Sequence, residues 1–203
     1  MNMKQNRTRI VLELGMALAF FLTVLLTAAV QQYRAACQAV CADTLRLHIL
    51  ANSDTDADQA LKLRVRDAVA EYLAPRLRHT ATKAQAVAAV TAALPGVRST
   101  AQSVVRGDQR VTVRLEEMKF APKDYGAFRL PGGRYTALRI ELGAAAGHNW
   151  FCVLYPGMCL GSAAARYDAP AENAVVFGQY EIRSALWDTL RGAVVEKRAV
   201  SML

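Results

Sequence analysis

Apolar and polar residues alternate along the first predicted strand of the chain. Leu45, Leu47 and Ile49 are separated by Arg46 and His48. Successive side chains of a strand point to opposite faces of its sheet, so the pattern predicts a strand with one buried face and one face in solvent.

The same period of two recurs later in the chain. It covers 111–116 and 135–142, whereas 150–155 is almost wholly apolar, which is typical of a strand buried on both faces. Val104–Val105 precede a glycine and an aspartate and are interpreted as the hairpin partner of the first of these strands. Residues 143–147 are rich in glycine and alanine and predict a flexible loop.

Helical spacing of apolar residues predicts three helices, at about 56–73, 81–94 and 181–200. Asp56 and Gln59 have the spacing of a capping box at the start of the first helix, and Pro75 ends or kinks it. Pro95–Gly96 close the second helix. The predicted order, β-α-α-β-β-β-β-α, indicates an α+β fold in which one mostly antiparallel sheet is packed with helices.

The N-terminal part of the chain is an export signal or a membrane anchor. Residues 14–30 form an unbroken apolar run that follows three basic residues. Small residues at 27–29 suit cleavage by signal peptidase, whereas the longer segment 10–30 suits retention in a membrane. Both alternatives place the rest of the chain outside the cytoplasm. We divide the chain into a signal peptide or membrane anchor at 1–30, a connector at 31–43 and a single globular α+β domain, with a C-terminal amphipathic helix, at 44–203.

The charged residues do not indicate a polyanionic or metal partner. The 25 basic and 17 acidic side chains give a net charge of +8, but the two signs are interspersed, as on a solvated surface. Asp54, Asp56 and Asp58 resemble the start of a calcium loop, yet Gln59 and Val65 stand where glycine and glutamate are required. We therefore expect no nucleic-acid partner, no metal ion and no cofactor.

The stretch GHNWFCVLYPGMCL, at 147–160, concentrates reactive residue types. In an exported chain, Cys152 and Cys159 favour a disulfide, because the turn between them returns the chain on itself. A thiol hydrolase would instead need His148 beside Cys152, although a strand separates residues so spaced by about 13 Å. A zinc site would need a further ligand beyond these three residues. The hydrolase alternatives stay open at this point.

Two blocks of the chain, 45–73 and 131–160, resemble the stage II sporulation protein R family of endospore-forming Firmicutes. The first block carries Ala-Asn-Ser-Asp at 51–54 after a strand, followed by Asp-Gln-Ala-Leu-Lys. The second carries Gly-x-Tyr-x-Ala at 133–137 and continues through Gly-His-Asn-Trp to the second cysteine. Phe151 is a mild departure, since the family commonly has Trp at this position.

The resemblance implies a signalling role. Members of this family are made in the forespore and exported into the space between forespore and mother cell. There they activate a membrane-embedded aspartic protease of the mother cell, which processes the precursor of a sigma factor. The resemblance brings no catalytic residues, so we expect a ligand rather than an enzyme, secreted into that space or anchored there.

Polar residues in two loops, with an aromatic anchor, form the candidate partner-binding surface. These residues are Asn52, Asp54, His148, Asn149 and Trp150. Two alternatives to the signalling role remain. One is an extracytoplasmic thiol or zinc hydrolase that uses His148 and Cys152, and the other is a membrane-anchored structural protein of the wall.

Overall fold

A computed structural model describes residues 3–105, 107–157 and 167–178. Cys159 and the predicted helix at 181–200 lie outside these residues. The elements follow one another as α1 Met3–Ala42, β1 Leu45–Leu50, α2 Asp56–Leu77, α3 Lys83–Val104, β2 Val111–Phe120, β3 Lys123–Asp124, β4 Arg129–Leu130, β5 Gly133–Leu142, β6 Asn149–Tyr155 and α4 Pro170–Phe177.

The four long strands form one mixed sheet with the order β2-β5-β1-β6. β1 pairs in parallel with β5 and antiparallel with β6, and β2 pairs antiparallel with β5. Two of the three pairings are therefore antiparallel, and the α+β class is confirmed. β3 and β4 form a separate two-stranded hairpin that the alternation of residues did not predict.

One face of the sheet carries the main hydrophobic core. The helices α2 and α3 lie across it and contribute apolar stripes with helical spacing, among them Val65, Val69, Leu73, Val90 and Val97. The strands contribute the alternate residues that point to the same side, among them Leu47, Ile49, Leu138 and Ile140. Burying one such side chain stabilises the fold by roughly 1.5–3 kcal/mol.

The opposite face of β1 is also buried, so the expectation of a half-exposed strand was wrong. Arg46 is 0% exposed and His48 is 4% exposed. Aromatic side chains from β2 and β6, Phe120 and Phe151, stand over this face. β6, predicted to be buried on both faces, instead lies at the edge of the described sheet, and only its three residues 152–154 are buried.

Both helices after β1 run through their prolines. Pro75 lies inside α2 and Pro95 lies inside α3. The buried stripe of α3 continues past its proline to Ala101, and this packing sustains the helix. Val104 therefore belongs to a helix and not to a hairpin strand. The first turn of α2 is capped by Thr55 instead of by the expected capping box.

The N-terminal helix α1 is continuous over 40 residues, which corresponds to about 60 Å. By length and composition it is one helix able to cross a membrane, and a signal sequence near an N-terminus has the same properties. The expected connector at 31–43 is helical up to Ala42. Val40 and Cys41 are buried against the domain, so the end of α1 is part of its packing.

Candidate functional site

Two loops meet at the end of the sheet where β1 finishes. We call residues 51–55 and 143–148 together the two-loop cluster. The backbone N–H groups of Ala146 and Gly147 donate to the carbonyl oxygens of Asn52 and Ala51, at 3.1 and 3.0 Å. The loops are thus joined like an irregular extension of the sheet, and the residues that were predicted to form a partner surface come close together.

Asn52 connects the two loops through its side chain. Its amide oxygen accepts a hydrogen bond from the backbone N–H of Ala144 at 2.9 Å, and its amide nitrogen donates to Asp58 at 2.9 Å. Ser53 also donates to the Asp58 carboxylate, at 2.6 Å. These bonds stabilise the ionised form and lower the pKa of Asp58. The half-buried side chain of Asn52 therefore holds the two loops together.

Asp54 and His148 form the exposed part of the cluster. The Asp54 carboxylate accepts a hydrogen bond from the His148 backbone and contacts its Nδ1 atom, each at 2.5 Å. The two side chains are 54% and 78% exposed. The backbone hydrogen bond, followed by the imidazole, lowers the pKa of Asp54. The pair therefore presents an anion and an imidazole to solvent in a fixed arrangement.

A buried lysine fixes the backbone beneath the Asp54–His148 pair. The Lys62 ammonium donates to the carbonyl oxygen of His148 at 2.9 Å and to Gln59 at 2.5 Å. Burial lowers its pKa. Because Lys62 belongs to α2, it ties the second loop to a rigid helix, and loop motion at His148 is restricted.

Two glycines permit the loops to approach. A Cβ atom on Gly147 would lie 2.1 Å from the carbonyl oxygen of Ser53. Gly143 has a φ of +57°, and a Cβ there would lie 2.2 Å from the side-chain oxygen of Asn52. The glycine-rich loop that was predicted to be flexible is therefore a close-packed one, in which glycine is needed for space and for its positive φ.

Trp150 and Asn149 lie on opposite faces of the sheet, since they are neighbours on β6. The Arg66 guanidinium stands over the Trp150 ring at 4.6 Å, on the side of the helices. Asn149 is exposed and lines a pocket on the other face. The five predicted residues thus share one end of the sheet, but Asn149 does not belong to the same surface as Trp150.

Cys152 is 8% exposed and belongs to the main core under the helices. His148 is in the exposed cluster, four residues earlier, which corresponds to about 13 Å along a strand. A buried sulfur atom at that separation from the imidazole has neither the access nor the adjacent base that nucleophilic catalysis requires. Within the described ranges, no three histidine, cysteine or acidic side chains lie close enough to hold a metal ion.

A second site on the other face of the sheet was not foreseen from the sequence. We call it the Arg46 pocket. It has a volume of about 210 Å³ and is lined by Arg46, His48, Asn149, Phe151 and the segment 118–123. The alternation of β1 gave the only available signal, two basic side chains on one face, but that pattern is also typical of a solvated surface.

Arg46 is held among aromatic rings in this pocket. Its guanidinium carbon lies 4.0 Å from the centre of the Phe120 ring and 5.0 Å from that of Tyr135. Nη2 donates to the Tyr125 hydroxyl at 2.8 Å. His48 stacks on Phe151 with ring centres 4.7 Å apart. Burial, followed by the charges of nearby arginines, lowers the pKa of His48 to about 4, so its ring is neutral at pH 7.

Comparison with known proteins identifies the family of the chain. A family model described as stage II sporulation protein R matches residues 41–165. The stage II sporulation protein R of Bacillus subtilis strain 168 is 36% identical over 118 residues, which are 57% of this chain and 53% of that protein. The chain thus matches about half the length of this curated relative, and no solved structure matches the chain. Because the family model covers more than half of the 203 residues, the chain belongs to the stage II sporulation protein R family.

Proposed function

We propose that the protein is an exported signalling ligand of endospore formation. Family membership supports a role in sporulation. In the proposed mechanism the domain acts in the space between forespore and mother cell. It binds a membrane-embedded aspartic protease of the mother cell, and this binding leads to processing of the sigma-factor precursor. The protein itself supplies a binding surface and no catalytic group.

The observation that carries this proposal is the position of the two-loop cluster relative to α1. The chain leaves α1 at Ala42 and enters β1 at Leu45. β1 has six residues, so its far end lies about 20 Å from that entry point. The cluster follows directly after this far end. If α1 stays in the forespore membrane, Asp54 and His148 are presented at the other end of the sheet, where a protein of the opposite membrane can reach them.

The construction of the cluster also suits recognition. Its outer groups, the Asp54 carboxylate and the His148 imidazole, are exposed, while Asn52 and Lys62 fix the backbone beneath them. A surface that is already ordered loses little conformational entropy on binding. The same construction gives no support to the hydrolase alternative, because His148 is in the exposed cluster and Cys152 lies in the core.

The test is processing of the sigma-factor precursor in a host that co-expresses the protease, with and without this protein. We expect processing to require the protein and to fall at least about tenfold in the Asp54→Ala/His148→Ala variant, the loss typical of a binding hot spot. Asp67→Ala is the matched control, since Asp67 is an exposed carboxylate of α2 outside the cluster. Equal processing without the protein refutes the activating role.

A second arm addresses the hydrolase alternative. Cys152→Ser and Cys152→Ser/Cys159→Ser are compared with the unchanged chain at matched protein abundance. The signalling role predicts that processing per molecule is retained, because Cys152 takes no part in chemistry. Complete loss of processing from a folded and abundant Cys152→Ser variant would instead support a chemical role for this residue.

A further inference from the structure

We propose that the Arg46 pocket binds a carboxylate group carried by an acidic segment of a protein partner. The pocket is separate from the two-loop cluster in its chemistry. It combines a buried guanidinium, a neutral imidazole and aromatic walls, whereas the cluster exposes an aspartate and a histidine.

Two side chains that line the pocket, Arg46 and His48, have unused hydrogen-bonding capacity. Nε and Nη1 of Arg46, and both ring nitrogens of His48, are buried without a hydrogen-bond partner among the residues that the structure describes. A buried polar group without a partner costs about 1–3 kcal/mol, and more when it is charged. Three of these four atoms are donors, since a neutral imidazole carries one N–H. Three donor atoms from two side chains of one strand indicate a site for an acceptor such as a carboxylate.

The nearest acidic side chains of the sheet are already engaged elsewhere. Glu116 and Glu141 both pair with Arg139, at 3.0 and 2.7 Å. Glu141 also pairs with Arg114, at 2.6 Å. No ion pair joins Arg46 to an acidic residue of the described part of the chain. The Arg46 guanidinium therefore contacts aromatic rings and one hydroxyl but no opposite charge of the described residues, and a carboxylate from a partner would supply that charge.

The charge of the pocket favours a carboxylate over a phosphate. Among its lining residues Arg46 is the one buried cation, because His48 is neutral at pH 7 and Lys119 and Lys123 are exposed. A phosphomonoester carries about −1.5 to −2 charges at that pH and is usually bound by several arginines. A carboxylate carries one charge, which a single buried guanidinium neutralises through a charge-assisted hydrogen bond.

The size and rim of the pocket favour a side chain from a larger partner. A volume of about 210 Å³ admits an acidic side chain, since a cavity of about 150 Å³ is enough to bind benzene. Lys119 and Lys123 are exposed at the rim, where they attract an acidic segment. That this segment belongs to a protein rests on the signalling function proposed above, whereas the carboxylate preference rests on the pocket alone.

The experiment is a titration of the full-length chain in detergent micelles, followed by NMR of the Arg46 Nε and His48 ring signals. The probe is N-acetylglutamate N-methylamide, and the matched neutral probe is N-acetylglutamine N-methylamide. We expect saturable shifts with the acidic probe and at least about tenfold weaker binding of the neutral one. Inorganic phosphate is the third probe and is expected to bind more weakly than the acidic one.

Two variants make the titration decisive. Arg46→Met removes the charge while keeping an unbranched apolar body, and it is expected to abolish the response. His48→Phe keeps a ring that stacks on Phe151, and it is expected to weaken binding several-fold because one donor is lost. Four results would each overturn the proposal. They are equal binding of the acidic and neutral probes, an unchanged affinity in both variants, tighter binding of phosphate than of the acidic probe, and no response of the unchanged chain. No protease is present, so such a failure leaves the signalling function to its own test.

Discussion

Replacement of Arg46 by methionine tests whether the buried guanidinium is kept for binding rather than for stability. In the folded chain, two of its polar atoms lack partners, at a cost of about 1–3 kcal/mol each. Its favourable contacts are the aromatic rings, worth about 2 kcal/mol, and the bond to Tyr125, worth roughly 1.5–3 kcal/mol. Gains and costs are therefore similar, and the side chain contributes little net stability.

Methionine removes the unpartnered nitrogens together with the ring contacts of the guanidinium and the bond to Tyr125, and it adds a buried apolar side chain. A fully buried methionine side chain contributes about 1.5–3 kcal/mol, and the Tyr125 hydroxyl that loses its donor is only half-buried. We expect Arg46→Met to raise the free energy of unfolding by about 1–3 kcal/mol, in line with other buried charges replaced by apolar residues. The measurement is urea unfolding of the full-length chain in detergent, followed by tryptophan fluorescence.

Arg139→Met is the matched control, because this arginine is on the same face and is paired with two glutamates. We expect that variant to lose about 1 kcal/mol, since it leaves Glu116 and Glu141 with one arginine fewer. A loss of 2 kcal/mol or more in Arg46→Met would show that the guanidinium is a structural support of the aromatic cluster. That result would refute the expectation that Arg46 contributes little net stability.

Three further predictions address the same regions. Gly147→Ala should lower the free energy of unfolding by about 1–3 kcal/mol, because its Cβ would meet the Ser53 carbonyl oxygen at 2.1 Å. A neutral result in urea unfolding would show that the two loops are not tightly joined. Thr55→Ala should cost about 1 kcal/mol by removing the hydrogen bond to the N–H of Asp58, measured against the equivalent cap change Thr82→Ala. His48 should make stability fall as pH decreases from 6.5 to 4, by at most about 3 kcal/mol, because the unfolded chain takes up a proton that the folded chain excludes. In His48→Phe this part of the pH dependence should disappear, and an unchanged pH profile would mean that another group causes it.

The positions of the long strands were predictable from the alternation of residues. The predicted segments 111–116 and 135–142 fall inside β2 and β5, and the edges differ by no more than four residues. The reason is that each strand has one face on the helical core, where apolar residues recur at every second position. The length of α3 was not predicted, because Pro95–Gly96 indicated an end although the buried stripe continues past the proline to Val97 and Ala101.

The Arg46 pocket was not predictable, since its cover comes from distant parts of the chain. Phe120, Tyr135 and Phe151 are 74, 89 and 105 positions away from Arg46 in the numbering of the chain. The local pattern at β1, with arginine and histidine at alternate positions, is the same for a solvated face as for a buried one. Only the strand order β2-β5-β1-β6 places the aromatic side chains over it.

The strand β6 makes the two sites neighbours. His148 immediately precedes it and belongs to the two-loop cluster, and its first residue, Asn149, lines the Arg46 pocket. Phe151 then forms the wall against which His48 stacks. A partner that places an acidic side chain in the pocket therefore contacts Asn149, the residue next to His148 of the Asp54–His148 pair. Because Lys62 ties His148 to α2, both contacts are made on a framework that is already ordered, and the second contact adds to the first at little further entropic cost.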